Sequence, residues 1–250
     1  MYASRGQTVI ASVKACDTRA TRPSPISQDS GRSFGANAWM LDIAQRELTW
    51  IQNPGIGYYP VQPSTFPYDS AYFSKYAGYA RTPMGAQLNA FRRAFVNRYW
   101  GDKVLVDIGV GCGQFIESRA LTYGYDVNPA GVEWLRERAL YRDPYSSEFA
   151  DRGIDAISCW DVLEHIENPA PLLSSVRSWV FVSIPVFRDL NHILGSKHYR
   201  PEEHFWYWTE HGFDAFMSAH GFEVVKVSDE ETQLGREDIL SFALRRREQA

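Results

Sequence analysis

The sequence predicts a doubly wound α/β fold, with a mostly parallel sheet and helices on both faces. Three observations carry that prediction. Val104 to Phe115 reads V-L-V-D-I-G-V-G-C-G-Q-F, a strand that runs through a glycine-rich turn into a helix start. From Lys103 onward, short apolar runs alternate with helical patterns, the βαβ rhythm of a parallel sheet. The last two runs, Phe222 to Val227 and Ile239 to Leu244, have no helix between them and predict an antiparallel hairpin at one edge.

Ahead of the alternating region the chain is less regular. Thr18 to Gly35 is rich in Ser, Thr, Arg, Pro and Gly, so residues 1–35 read as a flexible arm that buries little apolar surface. Ala38 to Ile51 predicts a short helix carrying Trp39, Ile43 and Leu48, ended by Asn53-Pro54-Gly55. Tyr58 to Pro67 reads as a proline- and tyrosine-rich loop. Tyr68, Tyr72 and Tyr76 are spaced to share one helix face. Met84 to Trp100 has an apolar stripe of Leu88, Phe91, Phe95 and Tyr99, with Arg92 and Arg93 outside it. Residues 36–101 thus read as a helical, aromatic extension, a lid or substrate cap, before a main domain over residues 102–250.

In that domain seven strands are expected. The first is Lys103 to Asp107, followed by a helix from Gly113 to Leu121. Thr122 to Asp126 is the second, and its helix starts at Pro129, a favoured first-turn position, and runs to Ala139. A poor third strand lies at Leu140 to Arg142. Ile154 to Trp160 is the fourth, with a short helix after Pro169, and Trp179 to Ile184 the fifth. A long loop, Pro185 to His204, precedes a helix from Thr209 to His220 that Gly221 caps.

Bulk properties exclude several classes. At 250 residues, 44% hydrophobic and 22% charged, the chain is an ordinary globular protein with room for one good core. Its net charge of -4 gives no global pull toward nucleic acid. Three cysteines without a C-x-x-C pattern argue against a disulfide framework or a cysteine zinc site, and fit a reducing compartment. The start has no long apolar segment and no uncharged stretch reaches the roughly 18 residues that span a membrane, so a cytoplasmic location is expected. His192, His198, His204 and His211 lack tight metal spacing, so no metal is assigned.

The chemistry sits at the sheet's carboxyl edge. Asp107 ends the first strand, and Gly109, Gly111 and Gly113 follow at every second position. Glycine is needed where a backbone turns sharply or lies against a ligand. A strand, a glycine turn and a helix start together make a nucleotide-binding corner. The G-x-G-x-G spacing departs from the G-x-G-x-x-G of dinucleotide enzymes. Asp126 ends the second strand 19 residues after Asp107, where an acid can accept from both ribose hydroxyls. Ile154 to Pro169, I-D-A-I-S-C-W-D-V-L-E-H-I-E-N-P, delivers Trp160 and Asp161 to the same edge, with Glu164 and His165 in the next turn.

In these three stretches, D-I-G-V-G-C-G, Y-D-V-N-P and D-V-L-E-H-I-E-N-P, the chain resembles the class I S-adenosylmethionine-dependent methyltransferases. The match spans about Lys103 to Leu244 and is nearest to small-molecule members such as the ubiquinone-biosynthesis O-methyltransferases. The resemblance implies a Rossmann-like sheet, S-adenosylmethionine as cofactor and the following roles. Asp107 and the backbone of Gly109 and Gly111 hold the methionine end, and Gly113 allows close approach. Asp126 binds the ribose, with Val127 beside the adenine and Asp143 near the adenine amine. Trp160 and Asp161 flank the methyl-transfer position, and Tyr72 and Tyr76 lie where many members close a lid. Asp161, His165 and His204 are the candidate catalytic bases.

A small-molecule acceptor is expected, with a hydroxyl, amine or carbon as the atom methylated. The stretch after the fourth strand, W-D-V-L-E-H, lacks the [N/D]-P-P-[Y/F/W] of adenine amino-methylases. Neither Cys159 nor Cys112 is placed like the nucleophile of cytosine-C5 methylases. A nucleotide or nucleic acid as acceptor, a non-catalytic S-adenosylmethionine-binding protein, and a nicotinamide dehydrogenase are the alternatives, the last disfavoured by the glycine spacing. No membrane contact is expected, and the sequence leaves the oligomeric state open.

Overall fold

The computed structural model describes residues 10–14, 47–60 and 68–248. In chain order the elements begin with β1 (Ile10–Lys14), β2 (Glu47–Ile51) and β3 (Ile56–Tyr58), then α1 (Ser70–Ala80) and α2 (Pro83–Trp100). The alternating region follows as β4 (Leu105–Ile108), α3 (Gln114–Ser118), β5 (Thr122–Tyr125), α4 (Pro129–Glu137), α5 (Ser147–Arg152) and β6 (Ile154–Trp160). A 3-10 turn (Leu163–His165), α6 (Ala170–Ser175), β7 (Val176–Phe187) and α7 (Leu190–Gly195) come next. The chain ends with β8 (Trp206–Thr209), α8 (Glu210–Ala219), β9 (Phe222–Ser228), α9 (Glu230–Gln233) and β10 (Ile239–Arg246).

The central sheet runs β5-β4-β6-β7-β10-β9. β5, β4, β6 and β7 are parallel, and β10 lies antiparallel between β7 and β9, as the sequence predicts. Alternation in β6 feeds two cores. Ile157 and Cys159 pack on one face with Leu172, Leu173, Phe213 and Met217 from α6 and α8. Ala156 and Trp160 pack on the other with Phe95, Val96 and Phe115 from α2 and α3. Burial on both faces is what makes these strands near-continuous apolar runs. Phe181 of β7 is fully buried in the second core, where truncation to alanine costs about 3–5 kcal/mol.

Several elements differ from expectation for identifiable reasons. The third strand shrinks to one parallel bridge, Gly124 to Tyr141, because the chain turns away at Asp143, which accepts from Tyr145 and Ser146 N–H. The helix expected over Ala38 to Ile51 is instead strand β2 in its last five residues, and its earlier part lies outside the described residues. Leu48 and Trp50 alternate into a small core with Tyr59, Phe187, Ile193 and Tyr207, a period of two that a helix would break. The expected flexible arm contains β1, which pairs antiparallel with β2 from Ile10–Ile51 to Lys14–Glu47. The rest of that arm, and residues 61–67 of the expected loop, lie outside the described residues.

The expected loop over Pro185 to His204 begins with the last three residues of β7 and contains α7, and the W-Y-W of the H-F-W-Y-W run lies in β8. β6 stops pairing with β7 at Ser183, and β8 pairs with the last two residues of β7, Val186 and Phe187. Through β8 the antiparallel strands β3, β2 and β1 join the central sheet, giving ten strands among the described residues. Among those residues no helix is long and apolar enough to cross a membrane.

Candidate active site

The carboxyl ends of β4, β5 and β6 open into a cavity of about 680 Å³. That volume lies within the range of small-molecule sites, about 300–1,000 Å³. Asp107, Gly109, Gly111, Asp126, Val127, Trp160, Asp161, His165, His204, Tyr72 and Tyr76 all line it, so one space unites residues spread over most of the alternating region.

At the β4 end the three glycines serve different needs. All have positive φ, between 56° and 83°. A Cβ on Gly109 would sit 2.4 Å from Val162, and one on Gly113 would sit 2.3 Å from the Trp134 ring. Gly111 alone has open space where its Cβ would be, and it lines the cavity. Gly113 does not line it. That residue starts α3 in the left-handed conformation and makes room for Trp134.

Asp107 is 1% exposed and accepts a hydrogen bond from Ser158 Oγ at 2.5 Å. Burial pushes its carboxyl up to about 8, against the lowering influence of Ser158 and Arg92. A cation entering the cavity would favour its charged form. Asp126 sits at the end of β5 in a ring of backbone donors from Asn128, Val127, Val110 and Gly111, the first at 2.7 Å. Burial still raises its carboxyl above the usual range. Asp143 does not line the cavity. Its carboxylate accepts from Tyr145 N–H in a tight turn, and Tyr145 reaches the wall instead.

α1 forms a roof. Asp69 caps it by accepting from Tyr72 N–H at 2.9 Å. Asn128, which caps α4, donates its amide to the Asp69 carbonyl at 3.0 Å. At the other end Gln114 donates to the Ala80 carbonyl at 2.9 Å. Tyr68, Tyr72, Tyr76 and Tyr79 line the cavity beneath, with Tyr68 edge-on to Tyr72. The spacing of four therefore places Tyr72 and Tyr76 on one face, and Tyr72 donates its hydroxyl to Tyr76 at 3.2 Å. Burial raises the phenols of Tyr68, to about 12, and of Tyr72.

Asp161 has φ of 58° and meets two arginines that sequence reasoning did not place in the site. Arg92 Nη2 lies 3.1 Å from Oδ2, and Arg236 Nη2 lies 2.8 Å from Oδ1. Both arginines also bind Glu231, which has no exposed surface and accepts from Ser183 Oγ at 2.8 Å. Arg92, expected outside the apolar stripe of α2, instead turns inward and lies 5.1 Å from the Trp160 ring centre. Burial would raise the Asp161 carboxyl, but Arg236 and Arg92 outweigh it and hold it below the usual carboxylate range. So tied, Asp161 has little proton affinity and is unfit as the general base considered from sequence.

The far end of the cavity is built where the 3-10 turn meets the residues before β8. Phe205 N–H donates to the Glu164 carbonyl at 2.8 Å, and Trp206 Nε1 to the Ile166 carbonyl at 2.9 Å. These bonds bring His204 edge-on to His165, ring centres 4.6 Å apart, beside Glu164. Burial lowers both imidazoles and raises the Glu164 carboxyl. Glu164 was noted in the sequence only as part of a motif, and its 2% exposure is what marks it.

These residues fit S-adenosylmethionine. The ammonium of its amino acid end suits a carboxylate such as Asp107, the open side of Gly111 leaves room for a ligand against the backbone, and an acid at the end of the second strand, as Asp126 is, suits ribose hydroxyls.

Comparison with known proteins agrees. A family model described as a methyltransferase domain matches residues 84–227, more than half of the chain. No curated protein matches in sequence. Among solved structures, the chain is similar to a SAM-dependent methyltransferase from Archaeoglobus fulgidus, 16% identical, covering 70% of this chain and 100% of that one, with a TM-score of 0.51. It is similar to one from Aquifex aeolicus, 15% identical, covering 73% and 100%, TM-score 0.50. The magnesium protoporphyrin IX methyltransferase from Synechocystis PCC 6803 with bound SAH is 15% identical, covers 71% and 95%, and has a TM-score of 0.50. These likenesses show the fold. With the family match over α2 to β9, the chain belongs to the class I methyltransferase-domain family and uses S-adenosylmethionine as its cofactor.

Proposed function

We propose that this methyltransferase acts on a small-molecule acceptor bound beneath α1, between the glycine corner and the Glu164–His165–His204 corner. The observation that carries the reading is the single cavity of about 680 Å³, roofed by α1 and lined at both corners. A space of that size suits a cofactor with a small acceptor beside it. When bound, S-adenosylmethionine supplies a methyl group on a positively charged sulfur. Asp107, Gly109 and Gly111 hold its methionine end, Asp126 its ribose and Val127 its adenine. Trp160 and Asp161 border the place of transfer, and Arg92 and Arg236 fix Asp161 there. α1 excludes water and aligns the partners, which is most of what such a displacement asks of a protein. In this reading residues 102–250 hold the donor, and α1 is the cap over it.

The test is calorimetry with S-adenosylmethionine, then transfer of labelled methyl to two panels. One panel holds small hydroxyl and amine compounds, the other nucleosides and RNA. Transfer confined to the first supports the proposal. No cofactor binding at high micromolar concentration, or transfer only to the second panel, overturns it.

A further inference from the structure

The far corner of the cavity holds polar atoms that the fold leaves unsatisfied. Glu164, His165 and His204 each offer one donor atom, and these atoms lie within 4.8 Å of one another. Glu164 and His204 are 2% and 3% exposed. Glu164 Oε2 and His204 Nδ1 nevertheless have no hydrogen-bond partner. A carboxylate and an imidazole buried in this way are costly unless something charged or hydrogen-bonding completes them.

The ring orientation says what would complete them. His165 Nδ1 faces the Glu203 carbonyl oxygen at 3.0 Å. A carbonyl only accepts, so the neutral ring donates from Nδ1 and keeps its lone pair on Nε2. A backbone carbonyl behind the ring is the usual support of a metal-ligating histidine. The nearby carboxylate of Asp161 is taken by Arg92 and Arg236 and is not available. What remains is one carboxylate and two imidazoles, arranged around a point on the cavity wall.

We propose that Glu164, His165 and His204 bind one divalent transition-metal ion of the zinc, iron(II) or manganese class. Two imidazoles with one carboxylate are a donor set for these ions. Metal–ligand distances of about 2.1 Å place donor atoms roughly 3–4 Å apart, so the corner closes with an adjustment on the order of 1 Å. The remaining coordination positions face the cavity, where an acceptor oxygen or nitrogen can reach them. The ion thereby deepens the proposed function by selecting acceptors that ligate metals, and it rests on the reading that this end of the cavity takes the acceptor.

The full chain, stripped with chelator, is titrated with zinc by calorimetry and with cobalt(II) by visible absorption. One tight ion per chain is expected, with the spectrum of a low-symmetry nitrogen and oxygen site. His204→Ala, His165→Ala and Glu164→Gln should each abolish it, while Asp161→Asn leaves it intact. S-adenosylmethionine binding is measured on the same samples and shows that each variant is folded. It also separates this proposal from the methyltransferase reading, because cofactor binding without metal binding overturns the ion alone. Metal binding that survives all three ligand substitutions overturns it too, since the other histidines would then be responsible. Should one variant fail to fold, the other two decide the outcome.

Discussion

Asn128 donates its side-chain amide to the backbone carbonyl of Asp69 at 3.0 Å, joining the caps of two helices. The same side chain accepts from Ala130 N–H at 3.0 Å to start α4. One residue thus ties the start of α4, beside Asp126, to the start of α1. Asn128→Ala removes a cap and a tertiary hydrogen bond, a loss of about 1–2 kcal/mol. Thermal melting should show the protein less stable, and calorimetry should show weaker S-adenosylmethionine binding because the roof loosens. Unchanged affinity would mean that α1 does not cover the cofactor.

The Asp107 carboxyl, pushed up to about 8 by burial, makes a pH prediction. From about pH 4, where an unfolded aspartate ionises, to about pH 8, the folded chain keeps a proton that the unfolded chain has lost. Stability of the cofactor-free protein should therefore fall as pH rises through that interval. A cationic ligand favours the ionised form, so S-adenosylmethionine affinity should rise with pH over the upper part of it. Asp107→Asn should flatten both trends, measured by denaturant unfolding and by calorimetry across pH.

Much of this site was legible in the sequence, and the reasons are local. The glycine corner, Asp126 and the strand β6 depend on residues adjacent in the chain, and β6 appears with the expected ends, Ile154 and Trp160. Arg92 was not legible, because its partner Glu231 lies 139 residues away and nothing in an amphipathic helix marks an inward arginine. β2 and β8 were missed for a similar reason. Both strands are short, the period of two in β2 covers only Leu48 and Trp50, and each exists through pairing with β3, which is distant from β8 in sequence.

Gly111 and Gly113 should separate under the same substitution. Gly113→Ala meets the Trp134 ring as well as a positive φ, and should cost about 2–4 kcal/mol of stability. Gly111→Ala meets only the positive φ, about 1–2 kcal/mol, and should lose cofactor affinity more than its stability suggests. Melting temperatures and binding isotherms for the two variants make the comparison. Equal losses of affinity would contradict the placement of the cofactor against Gly111.

The Arg92–Asp161–Arg236–Glu231 group predicts acid sensitivity. The Asp161 carboxyl is held below the usual range, so its contribution to stability is present above about pH 4 and is lost as pH falls below it. Asp161→Asn should blunt that acid-side loss. Glu231→Gln leaves two arginines facing a neutral amide in a buried site and should destabilise by about 3–5 kcal/mol at neutral pH. Denaturant titrations at pH 3, 5 and 7 check both. A Glu231→Gln variant as stable as the parent would show that the group is not needed to hold α2 and α9 on the sheet.

β7 is longer than its neighbour β6, and its last two residues, left bare past Ser183, take up β8. That overhang separates two stretches of the chain. The parallel strands before it carry or end beside Asp107, Asp126 and Trp160, which line the cavity. The segment hung from it, from Arg188 to Phe205, carries His204 and meets the 3-10 turn at Glu164 and His165. If the acceptor sits at the Glu164–His165–His204 corner as proposed, exchange of that segment for another of similar ends changes the acceptor and leaves S-adenosylmethionine binding intact.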